Sequence, residues 1–540
     1  MSIGDTLLVG RFYSLAREGE RFSALRVGPD GRIRGTYAEG EPLPPDLPRP
    51  PLPSGTAACV PAFTDSHVHF LTKAAMGSLV TILSRLEDGR VLPDCLEGVR
   101  VLLVEAAREK FRGPVIGYGL APGVLAEKRL PSAPELDAWI PGRPVIVLSF
   151  DGHSSSYSSL ALRILGLESQ ARDGVLTGEA HEFNMDRVMA YAMRALSPAA
   201  LARGISRTIR EAAQAGLAAV DCMEGFGNER REPGTEILAR IGGRLPLRLR
   251  LWLQYTLPER VRRYEDRMAR PRAGGCLHWE MDGSISSRSA AMDRPYRDRD
   301  HAGKLYRSPE DAFALCRPFH EAGYQISAHA IGPRGIESIL SAYERLSGGP
   351  GGTARARRHR IDHFEFPRPD QVERAGRLGL ILPVQPGFAW IDARFHKSYP
   401  EALDDETLAS FTPLRSLLQA GAVPALSTDA PVQPFDPFLQ IAGAVEHPVA
   451  SESLSVYEAL RAYSRAGAYG AFEEGDRGTL ETGKYADFAP LDRDPFETPP
   501  AELHRIRPLG TWTEGRPLEP PPEDLAGFLV RALASPRRKI

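Results

Sequence analysis

The sequence predicts an α/β fold, a (β/α)8 TIM-like barrel that carries a small β-sandwich domain built from both chain ends. Between about residues 58 and 472, apolar strand-like runs alternate with helical patterns, which indicates a parallel sheet of repeated βα units. Six or seven such strands in one unit favour a closed barrel, with an open, doubly wound sheet as the alternative. Short strands separated by turns occur at both ends of the chain.

The N-terminal element, residues 1–57, is predicted to be one part of the small β domain. Its strand-like segments are TLLVGRFYSL, FSALRVGP and GRIRGTYA, with Gly-Pro, Asp-Gly or similar turn residues between them. A proline-rich passage over residues 41–55 then leads to AACVPAFTDSHVHF, which has the apolar character of a buried strand. We therefore place the start of the barrel near residue 57.

The barrel is predicted over residues 58–472. Its strand-like runs are PVIVLSF, LAAVDCME, LPLRLRLWLQY, GYQISAHAIG, HRIDHFEF, GLILPVQPGF and AVPALSTDAP. The stretch from about residue 71 to residue 200 is too long for one crossover and predicts an insertion that partly covers the barrel mouth. Residues 473–540 return to short strands and turns, so the two chain ends are expected to share the β domain.

Composition and charge favour a globular protein that acts on a small molecule. Apolar residues make up 42% of the chain and charged residues 25%. The 67 basic and 69 acidic residues give a net charge of −2, so nothing in the charge favours nucleic acid or a membrane surface as partner. The sequence leaves a homodimer open as the state of assembly.

Cysteine spacing and hydropathy bear on the cellular compartment. The five cysteines are widely spaced and form no CxxC pair, so they indicate neither a disulfide framework nor a zinc-thiolate site. No apolar run is long enough to span a bilayer. We expect a cytoplasmic protein.

The first chemical signal is the pair His67 and His69. Residues two apart in a strand point to the same face, so both imidazoles can reach one metal ion. A lone HxH pair often has no ligand role, and its meaning depends on residues farther along the chain.

Three more polar residues lie where an apolar strand gives way to a loop: His329, His363 and Asp429. In a barrel, the ends of the strands form the catalytic face. Any one of these residues could simply cap its strand, but a repeat of the pattern over four strands argues against that explanation. Imidazoles with one carboxylate suit zinc, and manganese, iron or nickel are alternatives.

Seven segments in order resemble the amidohydrolase superfamily, specifically its YtcJ-like branch, the amidohydrolase family 3 group. These segments are VPAFTDSHVH, SFDGHSSSYSSLALRILGL around His153, EMDGSISSRSAAM with Asp282, SAHAIGPRGIESIL, RIDHFEF, STDAPV and GTLETGKYADFAPLD. The resemblance covers nearly the whole chain. It implies a metal-dependent barrel enzyme in which His153 and Asp282 lie in the substrate region.

The chain departs from that branch at the fourth strand. The branch often carries a lysine four residues before the Asp-Gly, available for carboxylation as a bridge between two metals, and here that position is His278. No lysine occurs between Lys128 and Lys304, so a single ion is favoured over two. His278 is either a ligand or a packing residue, and the direction of Glu280 stays open. Asp362 also replaces the usual glutamate before the sixth-strand histidine.

The resulting hypothesis is a hydrolase of a non-peptide C–N bond, of the amide or formamide type, that uses metal-activated water. The metal is held by His67, His69, His329 or His363, and Asp429; Asp429 transfers protons, and the metal with a neighbouring histidine polarises the carbonyl.

Phe388 and Trp390 could form an apolar wall of the substrate site or serve only as packing. The rival functions are a heterocycle deaminase on the same site and a binding protein that has lost turnover.

Overall fold

The chain begins with a small β sheet, in a computed structural model that describes residues 4–87, 90–109, 113–150, 153–225, 233–348, 353–396 and 398–540. Its N-terminal strands are β1 (Thr6–Tyr13), β2 (Arg21–Val27), β3 (Ile33–Tyr37) and β4 (Ala58–Pro61). The first three pair in antiparallel order, and β4 lies parallel to β1. The chain crosses from this sheet into the barrel within two residues of the end of β4, because β5 (Phe63–Val68) is the first barrel strand.

A large insertion follows β5 directly. Its strands are β6 (Val80–Ile82), β7 (Arg85–Glu87), β8 (Arg90–Leu92), β9 (Val115–Leu120), β10 (Val145–Ser149), β11 (Ser154–Tyr157) and β12 (Val175–Thr177). Five of them form a sheet in the order β12-β11-β10-β9-β6, and β7 pairs with β8 as a hairpin. The segment PVIVLSF therefore belongs to the insertion, as β10, and not to the barrel as the alternation of strands and helices suggested.

Helices cover the insertion sheet and lead back to the barrel. They are α1 (Phe70–Leu79), α2 (Leu96–Glu109), α3 (Ala133–Trp139), α4 (Ser159–Leu165), α5 (Gly178–Glu182), α6 (Met185–Arg194) and α7 (Pro198–Gln214), with a 3-10 turn at Pro122–Val124. The insertion packs around two hydrophobic clusters. One lies between α2 and the β9–β10 pair, and the other lies between α4, α6 and the sheet and also includes Leu277 of the barrel.

Eight parallel strands form the predicted barrel. After β5 they are β13 (Leu217–Glu224), β14 (Arg248–Leu253), β15 (Arg272–Glu280), β16 (Gln325–Ala330), β17 (Arg360–His363), β18 (Ile381–Val384) and β19 (Val423–Leu426), hydrogen-bonded in that order. All residues of β13 and β16 are buried, as expected for strands with helices on one face and barrel filling on the other. The (β/α)8 fold predicted from the sequence is confirmed.

The remaining helices surround the barrel or follow it. They are α8 (Pro233–Ile241), α9 (Pro258–Arg262), α10 (Pro309–Glu321), α11 (Pro333–Ser347), α12 (Thr353–Arg357), α13 (Pro369–Leu378), α14 (Gly387–Ile391), α15 (Ser398–Ala402), α16 (Asp405–Leu408), α17 (Leu414–Ala420), α18 (Pro437–Val445), α19 (Val456–Tyr463), α20 (Arg465–Gly470) and α21 (Leu525–Ala534). Short 3-10 turns span Gly242–Arg244, Glu265–Arg267, Ala450–Glu452 and Pro500–Arg505, and a π turn spans Asp392–His396. In the described part of the chain, no helix has the length and apolar character needed to cross a membrane.

The barrel closes between its first and last strands, where three of the predicted ligands lie. The backbone N–H of Asp429 donates to the carbonyl oxygen of His67 at 3.0 Å, and that of His69 donates to the carbonyl oxygen of Ala430 at 2.8 Å. The closing seam therefore sets the positions of His67, His69 and Asp429 relative to one another.

Charged side chains fill the barrel interior beneath the mouth. Arg360 pairs with Asp221 at 2.6 Å and with Asp362 at 3.2 Å, and Arg250 pairs with Asp221 at 3.2 Å. The Arg360 guanidinium also lies 4.2 Å from the ring centroid of Trp252. Buried charges are tolerated only when they are paired in this way. The network joins β13, β14 and β17, and it ends at Asp362, which contacts the site above.

The C-terminal residues complete the small sheet. Strands β20 (Phe488–Leu491), β21 (Trp512–Thr513) and β22 (Arg516–Pro517) extend it to seven strands in the order β22-β21-β20-β4-β1-β2-β3. Phe12 and Phe488 pack edge to face across the sheet at 5.3 Å. As predicted, both chain ends build one β domain, and its strands are hydrogen-bonded as a single continuous sheet.

Candidate metal centre

Side chains from four barrel strands meet at the mouth of the barrel. His67 lies in β5 with His69 just beyond it, His329 lies in β16, His363 ends β17, and Asp429 follows β19. Nε2 of His69 and Nε2 of His67 lie 3.2 and 3.4 Å from Oδ1 of Asp429. The ring centroids of His329 and His363 are 4.5 Å apart. The structure thus brings together all five residues that the sequence pattern proposed as ligands.

Three of the imidazoles are oriented by acceptors that lie behind them. The pairs are His67 Nδ1 with Asp362 Oδ2 at 2.9 Å, His363 Nδ1 with Gln385 Oε1 at 2.9 Å, and His329 Nε2 with the Gly283 carbonyl oxygen at 3.3 Å. Because each acceptor is an oxygen without a proton, each imidazole donates through that nitrogen. Its other ring nitrogen keeps a lone pair, which is how protein acceptors prepare histidines for metal binding.

Two buried atoms of the cluster have no hydrogen-bond partner, Nδ1 of His329 and Oδ1 of Asp429. An unpaired buried polar atom costs about 1–3 kcal/mol, and a cation removes that cost. The N···O distances of 3.2 and 3.4 Å lie within about 0.1 Å of the roughly 3.3–3.5 Å expected between nitrogen and oxygen ligands of one tetrahedral zinc ion. The side chains present therefore fit a divalent metal.

The protonation states of His329, His363 and Asp429 suit a metal. Burial lowers the pKa of His329 well below its ordinary value and the pKa of His363 to about 4, so both imidazoles are neutral. Burial opposes the charge on His67, but Asp362 and Asp429 outweigh it and raise the pKa of His67. Burial opposes the charge on Asp429 as well, yet the facing histidines hold its pKa below the ordinary range. Neutral imidazoles and an ionised carboxylate are the forms that coordinate metals.

Two of these residues have strained backbone conformations. His363 has φ +74° and Asp429 has φ +56°, in the left-handed region that residues with a β carbon seldom adopt. Such conformations cost on the order of 1–3 kcal/mol and concentrate at functional sites. The strain indicates that the strand ends are held to aim these two side chains into the cluster.

A fifth strand contributes a side chain that the sequence reading did not select. Sγ of Cys276, in β15, lies 3.5 Å from Nε2 of His67. Cys276 offers a ligand atom within 4.8 Å of those of His67 and His69, and also within 4.8 Å of those of His329 and His363. The cysteine is buried, and its contact with His67 places the thiol in the cluster.

A bulge in β15 explains why Cys276 enters the site and His278 does not. Gly275 is opposite Ala328 of β16, but the next paired residue of β15 is Glu280, opposite His329. The residues between them leave the regular alternation. His278 consequently stacks on Phe183 of the insertion, with ring centroids 5.8 Å apart, and lies outside the candidate ligand groups formed by the described residues.

Glu280, the other residue left open on this strand, is buried beside the cluster. Its Oε1 accepts a hydrogen bond from the backbone N–H of Leu277 at 2.8 Å, and the residue lines the cavity described below. Its carboxylate helps to hold the bulge that carries Cys276. Among the described residues, the candidate ligand groups do not include Glu280.

A cavity of about 350 Å³ opens above the cluster, and most of its wall is apolar. The barrel supplies the polar floor. The insertion supplies much of the apolar wall, including Met185, Val188, Met189 and Met193 from the α6 region and Phe150 after β10. The insertion therefore lies over part of the barrel mouth, where the sequence led us to expect it.

The four predicted substrate residues occupy different places. His153 lines the cavity, with its ring centroid 5.8 Å from that of His329, and Phe388 lines it as well. Trp390 packs outside the cavity, where its Nε1 donates to Glu446 at 3.0 Å.

Asp282 is buried beneath the surrounding loops, where its carboxylate accepts three backbone hydrogen bonds. The donors are the N–H groups of Ala291, Ile331 and Gly332, at 2.8, 2.9 and 2.8 Å. Burial raises the pKa of this carboxyl group to about 6. Asp282 thus ties the loop after β15 to the loop after β16.

Glu365 is a cavity residue that the sequence reading did not select. Burial raises the pKa of its carboxyl group to about 8, and the Tyr399 hydroxyl donates to it at 3.3 Å. Glu365 is part of the segment RIDHFEF, so its position after a strand-ending histidine was the available signal. Tyr399 comes from a distant helix, and no local pattern connects it to the site.

Comparison with known proteins agrees with the fold. The model of a family described as the amidohydrolase family matches residues 57–518. The YtcJ protein of Bacillus subtilis (strain 168) is 26% identical over 542 residues, which cover 94% of this chain and 98% of that protein.

Two further relatives are more distant or more partial. The crystal structure of an uncharacterized metal-dependent hydrolase from Pyrococcus horikoshii OT3 superposes with a TM-score of 0.68 at 22% identity, covering 92% of this chain and 99% of that one. The N-substituted formamide deformylase of Arthrobacter pascens is 27% identical over 266 residues, 46% of this chain and 47% of that protein.

Proposed function

This chain belongs to the amidohydrolase family, in the YtcJ-like branch that its motifs indicate, and on that premise we propose that it hydrolyses the amide or formamide bond of a small molecule with an apolar substituent. Family membership makes it a hydrolase. One observation supports the finer proposal: metal-ligand side chains from the barrel form the floor of a largely apolar cavity.

Zinc is the metal that we propose, because imidazole and carboxylate ligands at these separations suit it. His67, His69, Asp429, and His329 or His363 would hold it, and His67, His363 and Asp429 form one of the candidate ligand groups. When bound, such a metal supplies Lewis acidity, which lowers the pKa of water and polarises a carbonyl group.

Asp429 is the residue that would carry protons. The facing histidines hold the pKa of its carboxyl group below the ordinary range, so it is ionised, and its Oδ1 lies 3.2 Å from Nε2 of His69 and 3.4 Å from Nε2 of His67. It can accept a proton from the attacking water at this oxygen and return it to the leaving nitrogen, a role worth about 10² to 10⁴ in rate. The left-handed backbone at Asp429 helps to orient this carboxylate toward the cluster.

The apolar wall defines the class of substituent. Methionine side chains from α6 can adjust to the shape of a ligand, since they are unbranched and flexible. The partial match to an N-substituted formamide deformylase supports an N-formyl or N-acyl compound whose nitrogen carries an alkyl or aryl group. A cavity of about 350 Å³ suits a small molecule and excludes a folded protein.

The test is a series of N-alkyl formamides, from N-methyl to N-hexyl, offered to the zinc-loaded protein. Formate and amine should appear in equal amounts. The value of kcat/KM should rise about fourfold for each added CH2, since burying one is worth about 0.8 kcal/mol. The same assay with Met189→Ala should flatten this dependence, whereas Met292→Ala, a change of a buried methionine outside the cavity lining, should leave it unchanged.

Other outcomes would favour other functions. Release of ammonia from aminated heterocycles, with no hydrolysis of formamides or acetamides, would replace this proposal with a deaminase. Tight binding of apolar amides without turnover by the metal-loaded protein would indicate a binding protein.

A further inference from the structure

We propose that the thiolate of Cys276 is a ligand shared by two divalent ions, so that this site holds a pair of metals bridged by sulfur. The inference rests on the proposed function only in assuming that the cluster binds metal. It concerns a residue that the family resemblance does not assign and takes the place of the carboxylated lysine that this chain lacks.

Two groups of ligand atoms have Cys276 in common. The first consists of His67, His69 and Cys276, and the second of Cys276, His329 and His363. Within each group, the three ligand atoms lie within 4.8 Å of one another. Cys276 is the ligand that these two groups share, as a sulfur-bridged pair of metals requires. A third group, His67, His363 and Asp429, also joins the two sets of imidazoles.

The distance from sulfur to nitrogen is right for coordination. Zinc binds thiolate sulfur at about 2.3 Å and imidazole nitrogen at about 2.0–2.1 Å, so two such ligands at a tetrahedral angle lie about 3.5 Å apart. Sγ of Cys276 and Nε2 of His67 are 3.5 Å apart. Nδ1 of His67 is bonded to Asp362, so its Nε2 is the nitrogen with the lone pair and faces the sulfur.

In the second group, a nitrogen without a hydrogen-bond partner is an independent indication of a cation. Nδ1 of His329 is buried and has no hydrogen-bond partner, while its Nε2 is directed to the carbonyl oxygen of Gly283. His363 likewise uses Nδ1 for Gln385 and keeps Nε2 for the cluster. A lone pair in this position can bind a cation, and the thiol of Cys276 is the ligand that this second group shares with the first.

The backbone of β15 is built to place Cys276. Gly274 and Gly275 have φ of +103° and +132°, which residues with a β carbon rarely adopt. A β carbon at Gly274 would lie 1.9 Å from the carbonyl oxygen of Ser327. The backbone N–H of Cys276 then donates to Gln254 Oε1 at 2.7 Å, which holds the cysteine at the start of the bulge.

Charge balance also favours a thiolate here. Two divalent ions bring four positive charges, while the imidazoles are neutral and Asp429 supplies one negative charge. Coordination converts the Cys276 thiol to a thiolate, with its proton released to solvent, and this adds a second negative charge between the ions. The other four cysteines lie outside the candidate ligand groups of the described residues: Cys59, Cys95, Cys222 and Cys316.

The first experiment uses the unmodified protein loaded with zinc. X-ray absorption at the zinc edge should show a sulfur shell at about 2.3 Å beside the nitrogen and oxygen shell, and elemental analysis should give about two ions per chain. The absence of a sulfur shell would overturn the proposal. A sulfur shell with only one ion per chain would overturn the bridge.

The second experiment compares Cys276→Ala with His278→Ala, because His278 occupies the sequence position of the usual lysine. In cobalt-loaded protein, Cys276→Ala should abolish the thiolate-to-cobalt charge-transfer band and reduce the metal content from about two ions to about one, whereas His278→Ala should change neither. Loss of metal in His278→Ala with retention in Cys276→Ala would reverse the assignment. The zinc-edge spectrum of the unmodified protein decides the question if Cys276→Ala does not fold.

Failure of this inference is distinguishable from failure of the proposed function. If the protein hydrolyses formamides but shows no sulfur shell, the bridge is wrong and the function stands. If two ions and a sulfur shell are found but no amide is cleaved, the bridge stands and the substrate class is wrong.

Discussion

The metal cluster has two halves: the seam half contains His67, His69 and Asp429, and the second half contains His329 and His363. Their imidazoles donate to different kinds of hydrogen-bond acceptor. His67 is backed by the carboxylate of Asp362, which is itself paired with Arg360 and, through it, with Asp221. His363, in the other half, is backed by the neutral amide of Gln385. A charged acceptor makes an imidazole a stronger ligand than a neutral one does. The half on the closing seam is therefore expected to hold its ion more tightly.

His329, like His363, is oriented by an uncharged acceptor. Its acceptor is the backbone carbonyl of Gly283, which brings no charge and belongs to the loop after β15. The position of His329 thus depends on the same loop region as the bulge, while the seam half is built on hydrogen bonds between the first and last strands. The following three predictions concern Asp429, the hydrogen-bond acceptors of His67 and His363, and the charged network beneath the mouth, in order of expected effect.

The largest effect should come from a substitution of Asp429, in the seam half, and should appear in kcat. Asp429→Asn keeps the size of the side chain but removes the group that carries protons, so kcat should fall by about 10² to 10⁴. The matched control is Asp436→Asn, at the N-cap of α18, where asparagine caps as well as aspartate does. Steady-state rates of formamide hydrolysis would measure both. A fall of less than tenfold in Asp429→Asn would show that another residue carries the proton.

A smaller effect should distinguish Asp362, the acceptor of His67, from Gln385, the acceptor of His363. Asp362→Asn should weaken zinc binding by about 10- to 100-fold, whereas Gln385→Leu should weaken it by less, because only the first removes a charged acceptor. Competition with a chelator of known affinity gives both dissociation constants. Arg360 keeps Asp221 as a partner in Asp362→Asn, so the barrel should still fold. Equal losses in the two variants would mean that the charge of the support does not matter.

The smallest effect should appear at Glu473, whose carboxylate pairs with Arg250 of the charged network at 2.8 Å. Burial opposes the charge on Glu473, but Arg250 outweighs it and lowers the pKa of Glu473 to about 2 from about 4.5. Since the unfolded chain binds this proton more readily, Glu473 stabilises the fold above about pH 4.5, and that stability is lost as the pH falls toward 2. Between pH 7 and about pH 3.5 the loss is about 1.4 kcal/mol.

Urea unfolding of the unmodified chain and of Glu473→Gln at both pH values isolates this contribution. The difference in unfolding free energy between the two proteins should shrink as the pH falls. A difference that stays constant would show that Glu473 has an ordinary pKa in the folded protein.

Local sequence patterns were sufficient to predict the candidate ligands that lie at the ends of regular strands. His67, His329 and His363 follow or end apolar runs, and parallel strands in a barrel bring all their carboxyl ends to one face. The same reasoning predicted the barrel itself and the shared β domain of the chain ends. These features depend on periodicity, which a short stretch of sequence carries by itself.

Cys276 is a residue of the site that this reasoning did not predict. Regular alternation would give Cys276, His278 and Glu280 one common direction, but the bulge separates them. The adjacent glycines 274 and 275 were a signal of a bulge, since glycine inside a strand often marks one. They could not show which side chain would turn inward, because that depends on Gln254 and Met223 of neighbouring strands.

The sequence by itself determined the barrel, its catalytic face and most of the residues at its mouth, because each of these follows from hydrophobic periodicity and from where it ends. Tertiary structure alone decided which nitrogen of each imidazole faces the centre, that Cys276 replaces His278 there, and that methionines of the insertion line the cavity. The physical reason is that hydrogen-bond partners and close packing are set by atoms far apart in the chain, such as His67 and Asp362, which are 295 residues apart and 2.9 Å from each other.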